Sequence, residues 1–181
     1  MSDAVRHNAA NERDSSSLRS TIEWLRQEGH LLETEKEVDP DLELTGLQKH
    51  LDGGPPILFH NVKGKPHARA ITNLFSDINV IDKMFGFEGP LDRTQKIAAA
   101  FSDPLKPTEI EQGEAPCQEH IITENIDVNE WITAIRHTAL EPELTIGSGI
   151  RCVVGPYFDG GSDLGYNRMN FRWGDVGTFQ I

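Results

Sequence analysis

GGPPILFHNVKG, residues 53–64, decides the fold. Two glycines and two prolines punctuate the chain, a short apolar run ILF follows, and a polar segment ends on Gly64. An apolar run bounded by turn residues reads as a buried strand. The prolines stand before the run, where their missing N–H costs no ladder hydrogen bond. Upstream, SLRSTIEWLRQEGH (17–30) has helical spacing, with Leu18, Ile22, Leu25 and Trp24 forming an apolar face and Gly29 as the stop. HLLETEKEVD (30–39) is strand-like, and DPDLELTGLQKHL (39–51) predicts a helix with Pro40 near its start and Leu42, Leu44, Leu47 and Leu51 on or near one side. Downstream, HARAITNLF (67–75) is a second strand candidate. SDINVIDKMFGF (76–87) is a helix capped by Ser76 or Asp77, packed through Ile78, Ile81 and Phe85, and ended by Gly86. GPLDRTQKIAAAF (89–101) is another, with Pro90 early.

The pattern then changes. SDPLKPTEIEQGEAP (102–116) carries three prolines and several acids and reads as a linker or surface crossover. Beyond it, CQEHIITE (117–124), LTIGSGIRCVV (144–154), DLGYNRMNFRW (163–173) and VGTFQI (176–181) are β-like, separated by turn signals such as FDGGSD. DVNEWITAIRH (127–137) interrupts them as a helix, with Asp127 and Glu130 spaced as a capping box. The reading is an α+β chain: a polar, Ser-rich N-terminus (1–16) expected to be disordered, a small α/β domain (17–115), and the start of an antiparallel β-barrel or sheet (116–181). VGTFQI is expected either to pair internally or to belong to a chain that continues further in its natural form.

The chain has 181 residues, 37% of them hydrophobic, and a mean hydropathy of −0.44. That is a soluble composition, without a secretory h-region or a membrane-length apolar stretch, and the expected location is the cytoplasm. A net charge of −12 disfavours binding to a phosphate backbone, so no nucleic-acid partner is expected. Cys117 and Cys152 form no CxxC pair, and the seven histidines show no i, i+4 pair. Glu119 and His120, adjacent on an extended segment, point to opposite faces and make a poor metal site. No phosphate-binding loop, dinucleotide fingerprint, zinc-protease helix or nucleophile elbow is present. TIGSGIR (145–151) places glycines inside a strand, which marks either a bulge or close approach by a ligand. Arg168, on a strand, has the chemistry to hold a carboxylate. From the residues alone, the reading stops at a two-part α/β plus β protein with a site for an anion.

Three segments in order, EVDPDLEL (37–44), GGPPILFHNVKG and ITNLFSD (71–77), followed by YNRMNF (166–171), resemble the N-terminal part of the UbiD-type decarboxylases. The resemblance extends over roughly residues 18–181. It implies reversible, non-oxidative decarboxylation of an aromatic or α,β-unsaturated carboxylic acid. The implied cofactor is prenylated FMN supplied by a separate flavin prenyltransferase, with Mn²⁺, often together with K⁺, at its phosphate. The cofactor acts as electron sink and a glutamate delivers the proton. The implied β-domain is a split barrel of the flavin-reductase kind, in an enzyme that is usually a homo-oligomer. Residue by residue, Arg168 falls where the family pairs an arginine with the substrate carboxylate and the acid/base glutamate. Asp163 falls where the family has a metal-binding asparagine, a departure that keeps a hard oxygen donor. Gly147 and Ser148 fall on the cofactor-contacting strand, and Leu164, Gly165, Tyr166, Asn167 and Arg168 on the pocket wall. His60 and Lys63 read as loop and edge positions. The family's remaining metal ligands and acid/base glutamates lie further along, so this chain is expected to carry at most half of the site and to be inactive alone. The rival readings are a non-catalytic assembly or binding subunit of a larger carboxylase and, more remotely, a plain FMN-binding redox barrel.

Overall fold

The computed structural model describes residues 17–103, 111, 113–114, 119–141, 144–154, 163–170 and 175–179, with the backbone alone for 147–154, 163–167 and 179. The N-terminal 16 residues, expected to be disordered, and most of the 102–116 linker lie outside the described residues. These residues form a mixed α/β structure with two three-stranded sheets, in the orders β1-β2-β3 and β4-β5-β6. The chain divides into two compact units, Met1–Leu32 with Asp52–Ile57 and Thr72–Ile121, and Glu33–Leu51 with Leu58–Ile71 and Ile122–Ile181.

The first unit is built on helices whose ends the sequence marks. In α1 (Leu18–Gln27), the Ser17 hydroxyl accepts from the Ser20 N–H, and Gly29 follows at φ +71°. The buried face is Thr21 and Leu25, with Trp24 packed beside them; Leu18, expected on that face, is exposed. In α3 (Ile78–Phe85), Asp77 rather than Ser76 caps, accepting from the Asn79 N–H at 2.8 Å, and Gly86 closes the helix in the left-handed region. Val80 and Met84 are its buried residues, and they join Leu25, Trp24, Leu31 and Leu74 in one cluster; Ile78 and Phe85, expected to pack, are exposed. α4 (Pro90–Ser102) begins on Pro90 as expected but buries no residue.

The opening stretch begins in the first unit, through Ile57, and continues in the second from Leu58. β2 (Ile57–Phe59) is buried along its whole length, between β1 (Leu32–Thr34) and β3 (Ala70–Thr72) in the sheet order. The exit loop is stitched to the segment before α2 (Glu43–His50): the Val38 N–H donates to Asn61 O at 3.0 Å, and the Lys63 N–H donates to Val38 O at 3.0 Å. Lys63 Nζ donates to Asp39 Oδ2 at 2.5 Å. Asp39 Oδ1 also accepts from the Asp41 N–H, and the Asp39 N–H donates to Glu43 Oε2. The pairing with Lys63 lowers the Asp39 carboxyl below its ordinary range and raises the Lys63 ammonium. EVDPDLEL and HNVKG are therefore the two halves of one turn-locking contact. Val38, Leu44, Leu58, Phe59, Val62 and Ala134 are buried in this unit.

Two elements differ from their sequence reading. Residues 119–124, expected to be β-like, are irregular. The helix expected over 127–137 shrinks to α5 (Val128–Trp131), capped by Asp127 through the Asn129 N–H, and Ile132 is already extended. The rest of that segment is drawn into backbone pairing instead. Ile135 bridges Thr145 through reciprocal bonds of 3.1 and 2.8 Å, and the Arg136 N–H donates to Pro40 O at 2.9 Å. β-Branched Ile132, Thr133 and Ile135 offer little helical preference to oppose this.

Candidate functional site

β4 (Thr145–Val154) and β5 (Asp163–Asn170) form an antiparallel pair, extended by β6 (Thr178–Phe179), so Thr178 and Phe179 of VGTFQI pair with β5. Register runs regularly from Val154↔Asp163 to Ile150↔Asn167, then jumps to Ile146↔Met169. Three residues of β4, Gly147–Ser148–Gly149, therefore oppose a single residue of β5, Arg168. The glycine run is a bulge, and it sits opposite the arginine that the sequence singled out. Glycines relieve the backbone crowding such an insertion creates. The other candidates follow along β5: Asn167 opposite Ile150, Tyr166 opposite Arg151, Gly165 opposite Cys152 and Leu164 opposite Val153. Asp163 lies at the far end, five residues and about 17 Å of strand from Arg168.

The Arg168 side chain is 62% exposed, and its Nη1 donates to Glu141 Oε1 at 2.9 Å. Glu141 is the better fixed partner, 15% exposed at its side chain. Its Oε2 accepts from the His137 N–H at 2.7 Å, and its backbone N–H donates to Thr138 O. His137 Nδ1 stands 3.4 Å from the same Oε2 but lacks hydrogen-bond geometry, and the contact is one of proximity. Burial pushes the Glu141 carboxyl up. The His137 backbone N–H, the His137 ring, the Thr138 backbone and the Arg168 guanidinium outweigh it and hold the group below the usual glutamate range.

The loop that presents Glu141 is itself anchored. Arg136 Nε donates to Glu141 O at 2.9 Å, and its Nη1 lies 3.4 and 3.5 Å from the two carboxylate oxygens of Asp41. Thr45 Oγ1 donates to Arg136 O at 3.1 Å. Neither Glu141 nor Arg136 belongs to a motif. Only the β4–β5 register, which leaves Glu141 just beyond the Thr145 end of β4, would have pointed to them.

Two residues of the opening stretch, read as loop and edge positions, make charged contacts of their own. His60 pairs with Glu33 at 2.9 Å and Lys63 with Asp39, structural contacts both. Among the described residues, no group of three or more His, Cys, Asp or Glu is placed to hold a metal. Asp163 on its own supplies too few oxygens for a divalent cation, which takes about six. No described helix is long and apolar enough to cross a membrane.

Residues 22–101 match the family model of the 3-octaprenyl-4-hydroxybenzoate carboxy-lyase N-terminal domain. These 80 residues are a fragment of the UbiD family's N-terminal domain. The chain is 29% identical over 130 residues to the gallate decarboxylase of Lactiplantibacillus plantarum, an alignment that covers 64% of this chain and 26% of that protein. Over 93 residues it is 32% identical to a 4-hydroxybenzoate decarboxylase subunit from Chlamydia pneumoniae, covering 50% of this chain and 16% of that one. An evolved dimeric form of the UbiD-class enzyme HmfF from Pelotomaculum thermopropionicum, in complex with prFMN, matches 91% of this chain and 38% of its own length, with a TM-score of 0.80 and 28% identity. The chain thus spans about a quarter of the gallate decarboxylase's length.

Proposed function

We propose that the chain furnishes the N-terminal part, or one subunit, of a UbiD-class carboxy-lyase. It would act reversibly and without net oxidation on an aromatic or α,β-unsaturated carboxylic acid. The observation that carries this reading is the placement of Arg168 opposite the Gly147–Gly149 bulge, on a fold that superposes on a prFMN-bound relative. In this reading Gly147, Ser148 and the β5 run Leu164–Arg168 hold prenylated FMN, which supplies the electron sink for loss of CO₂ when bound. Arg168 presents a guanidinium edge to the substrate carboxylate and fixes its orientation. Asp163, a nucleotide-length away along β5, is assigned to the phosphate end. There it is one oxygen donor among those that Mn²⁺, with K⁺ beside it, would need; the described residues do not complete that set.

The remaining assignments belong to the same proposal. They are a domain division into 17–115 and 116–181, with the latter the beginning of a flavin-reductase-like split barrel, a flavin prenyltransferase as cofactor supplier, a cytoplasmic setting, and a homo-oligomer when complete. The Chlamydia pneumoniae relative, named as one part of a decarboxylase, supports the alternative that this chain is an assembly subunit, with activity appearing only in a complex.

The test is decarboxylation of gallate and 4-hydroxybenzoate by the protein purified from its source with everything that accompanies it, loaded with prenylated FMN. CO₂ release that falls by about a thousandfold or more in Arg168→Gln, with flavin still bound, supports the assignment. Near-wild-type turnover in Arg168→Gln would sink it. Reduction of bound FMN by NAD(P)H without any decarboxylation would favour the redox-barrel reading instead.

A further inference from the structure

The charged contacts of the second unit form a continuous strut. It starts at the turn that Lys63 locks through Asp39, crosses from Asp41 to Arg136, passes through the Arg136 contact with Glu141 O, and ends on the Glu141 carboxylate that holds Arg168. Three of its contacts are long-range, 24, 95 and 27 residues apart in sequence at Lys63–Asp39, Arg136–Asp41 and Arg168–Glu141, and the Arg136–Glu141 O link between them is local, five residues apart. The strut joins the family's signature segments to the strand residue of greatest chemical interest.

We infer that Glu141 is a positioning residue for Arg168, held in place by the Asp41–Arg136 contact, and that the EVDPDLEL and HNVKG segments serve the site through this strut. Glu141 takes one terminal nitrogen of a planar, five-donor group, so the guanidinium plane is set before a ligand arrives. An arginine on a mostly exposed stem otherwise samples many rotamers, and ordering it at the moment of binding weakens binding. Repulsion between Glu141 and an incoming carboxylate opposes this gain. It is screened, because the guanidinium faces solvent over most of its surface. The inference rests on the reading of Arg168 as the carboxylate-binding arginine.

The experiment uses the full chain with ¹⁵N-labelled arginine, titrated with benzoate and with benzamide, its uncharged counterpart. In the wild type, rotation about the Arg168 Cζ–Nε bond is slowed, and separate Nη signals resolve. In Glu141→Gln they merge, and benzoate binds about tenfold more weakly while benzamide is unaffected. The amide oxygen of the variant can still accept from the His137 N–H, so the loop keeps its shape and the thermal midpoint stays close to wild type. Arg136→Gln, which leaves Glu141 itself intact, moves both readouts in the same direction by a smaller factor. It also gives the answer should Glu141→Gln unfold the loop. Averaged Arg168 Nη signals in the wild type, or wild-type benzoate affinity in both variants, would overturn the positioning role. Benzoate shifts that are absent, or that survive Arg168→Gln, would instead overturn the carboxylate-site reading, with the Nη signals still deciding whether Glu141 clamps the arginine.

Discussion

The two units use their charges differently. In the first, several are short in sequence, namely Lys96 with Asp92 at i, i+4, Arg93 with Asp82 eleven residues away, and Lys96 Nζ on the Gly86 carbonyl at a helix end, beside a longer reach from Lys83 Nζ to His30 Nε2. They trim helices that already have a reason to form. In the second unit they are long-range and consecutive, and they lead to Arg168. A local charge pair is built into helix geometry and adds a few tenths of a kcal/mol. A contact that reaches across 95 residues forms only after the fold has brought its ends together, so it reports on placement.

A second contrast lies within the first unit, between its apolar groups. In the first unit, Leu25 is completely buried and packs with Val80 and Met84, whereas Leu91, Ile97 and Phe101 of α4 stand exposed. Leu25→Ala should cost about 3 kcal/mol in urea denaturation, from lost transfer free energy and the cavity left behind. Phe101→Ser should stay within about 0.5 kcal/mol. An equal loss from Phe101 would mean that α4 packs more tightly in solution than its exposure implies, and it would erase the contrast between core and open helix.

The caps offer a smaller effect. Asp77→Ala removes the acceptor for the Asn79 N–H and should cost about 1 kcal/mol. Asp77→Asn, which keeps an acceptor oxygen, should recover most of it. Failure of the asparagine to recover stability would move the role of Asp77 from hydrogen bonding to its charge at the helix N-terminus.

These caps, the glycine stops, the Pro90 start and the ILF strand were legible because each is written within a few residues. The α1 face was read nearly right: helical spacing cannot tell whether Thr21 or Leu18 completes the stripe, and the neighbours selected threonine. α5 was overread, because the helix-like spacing of 127–137 competes with pairing to Thr145 and Pro40 that no local pattern announces. The site divided in the same way. TIGSGIR signalled its bulge through composition. Glu141 and Arg136 were invisible, because their roles depend on the β4–β5 register and on a turn almost a hundred residues upstream.

Acid should separate the two units last and most finely. The Glu141 carboxyl, in the second unit, and the Asp92 carboxyl, in the first, both lie below their ordinary values of 4.5 and 3.8. A depressed folded-state pKa gives stability that is fully present above the unfolded value and is lost as pH falls through the folded one. Both contributions should therefore be intact at pH 6 and decline below about pH 4.5 for Glu141 and below about pH 4 for Asp92. Their causes differ. Asp92 is held down first by an exposed Lys96, which salt screens, and only second by the Glu88 backbone N–H. Glu141 is held down, against its own burial, first by a backbone N–H fixed in a closed loop, which salt barely touches. Carboxyl NMR titrations in low salt and in about 0.5 M NaCl, where the screening length drops to roughly 4 Å, should move the Asp92 midpoint up toward its ordinary value and leave that of Glu141 nearly unchanged. Equal salt shifts at the two carboxyls would mean that Glu141 is held by its charged neighbours more than by the loop, and the loop would then lose its standing as the fixed end from which Arg168 is aimed.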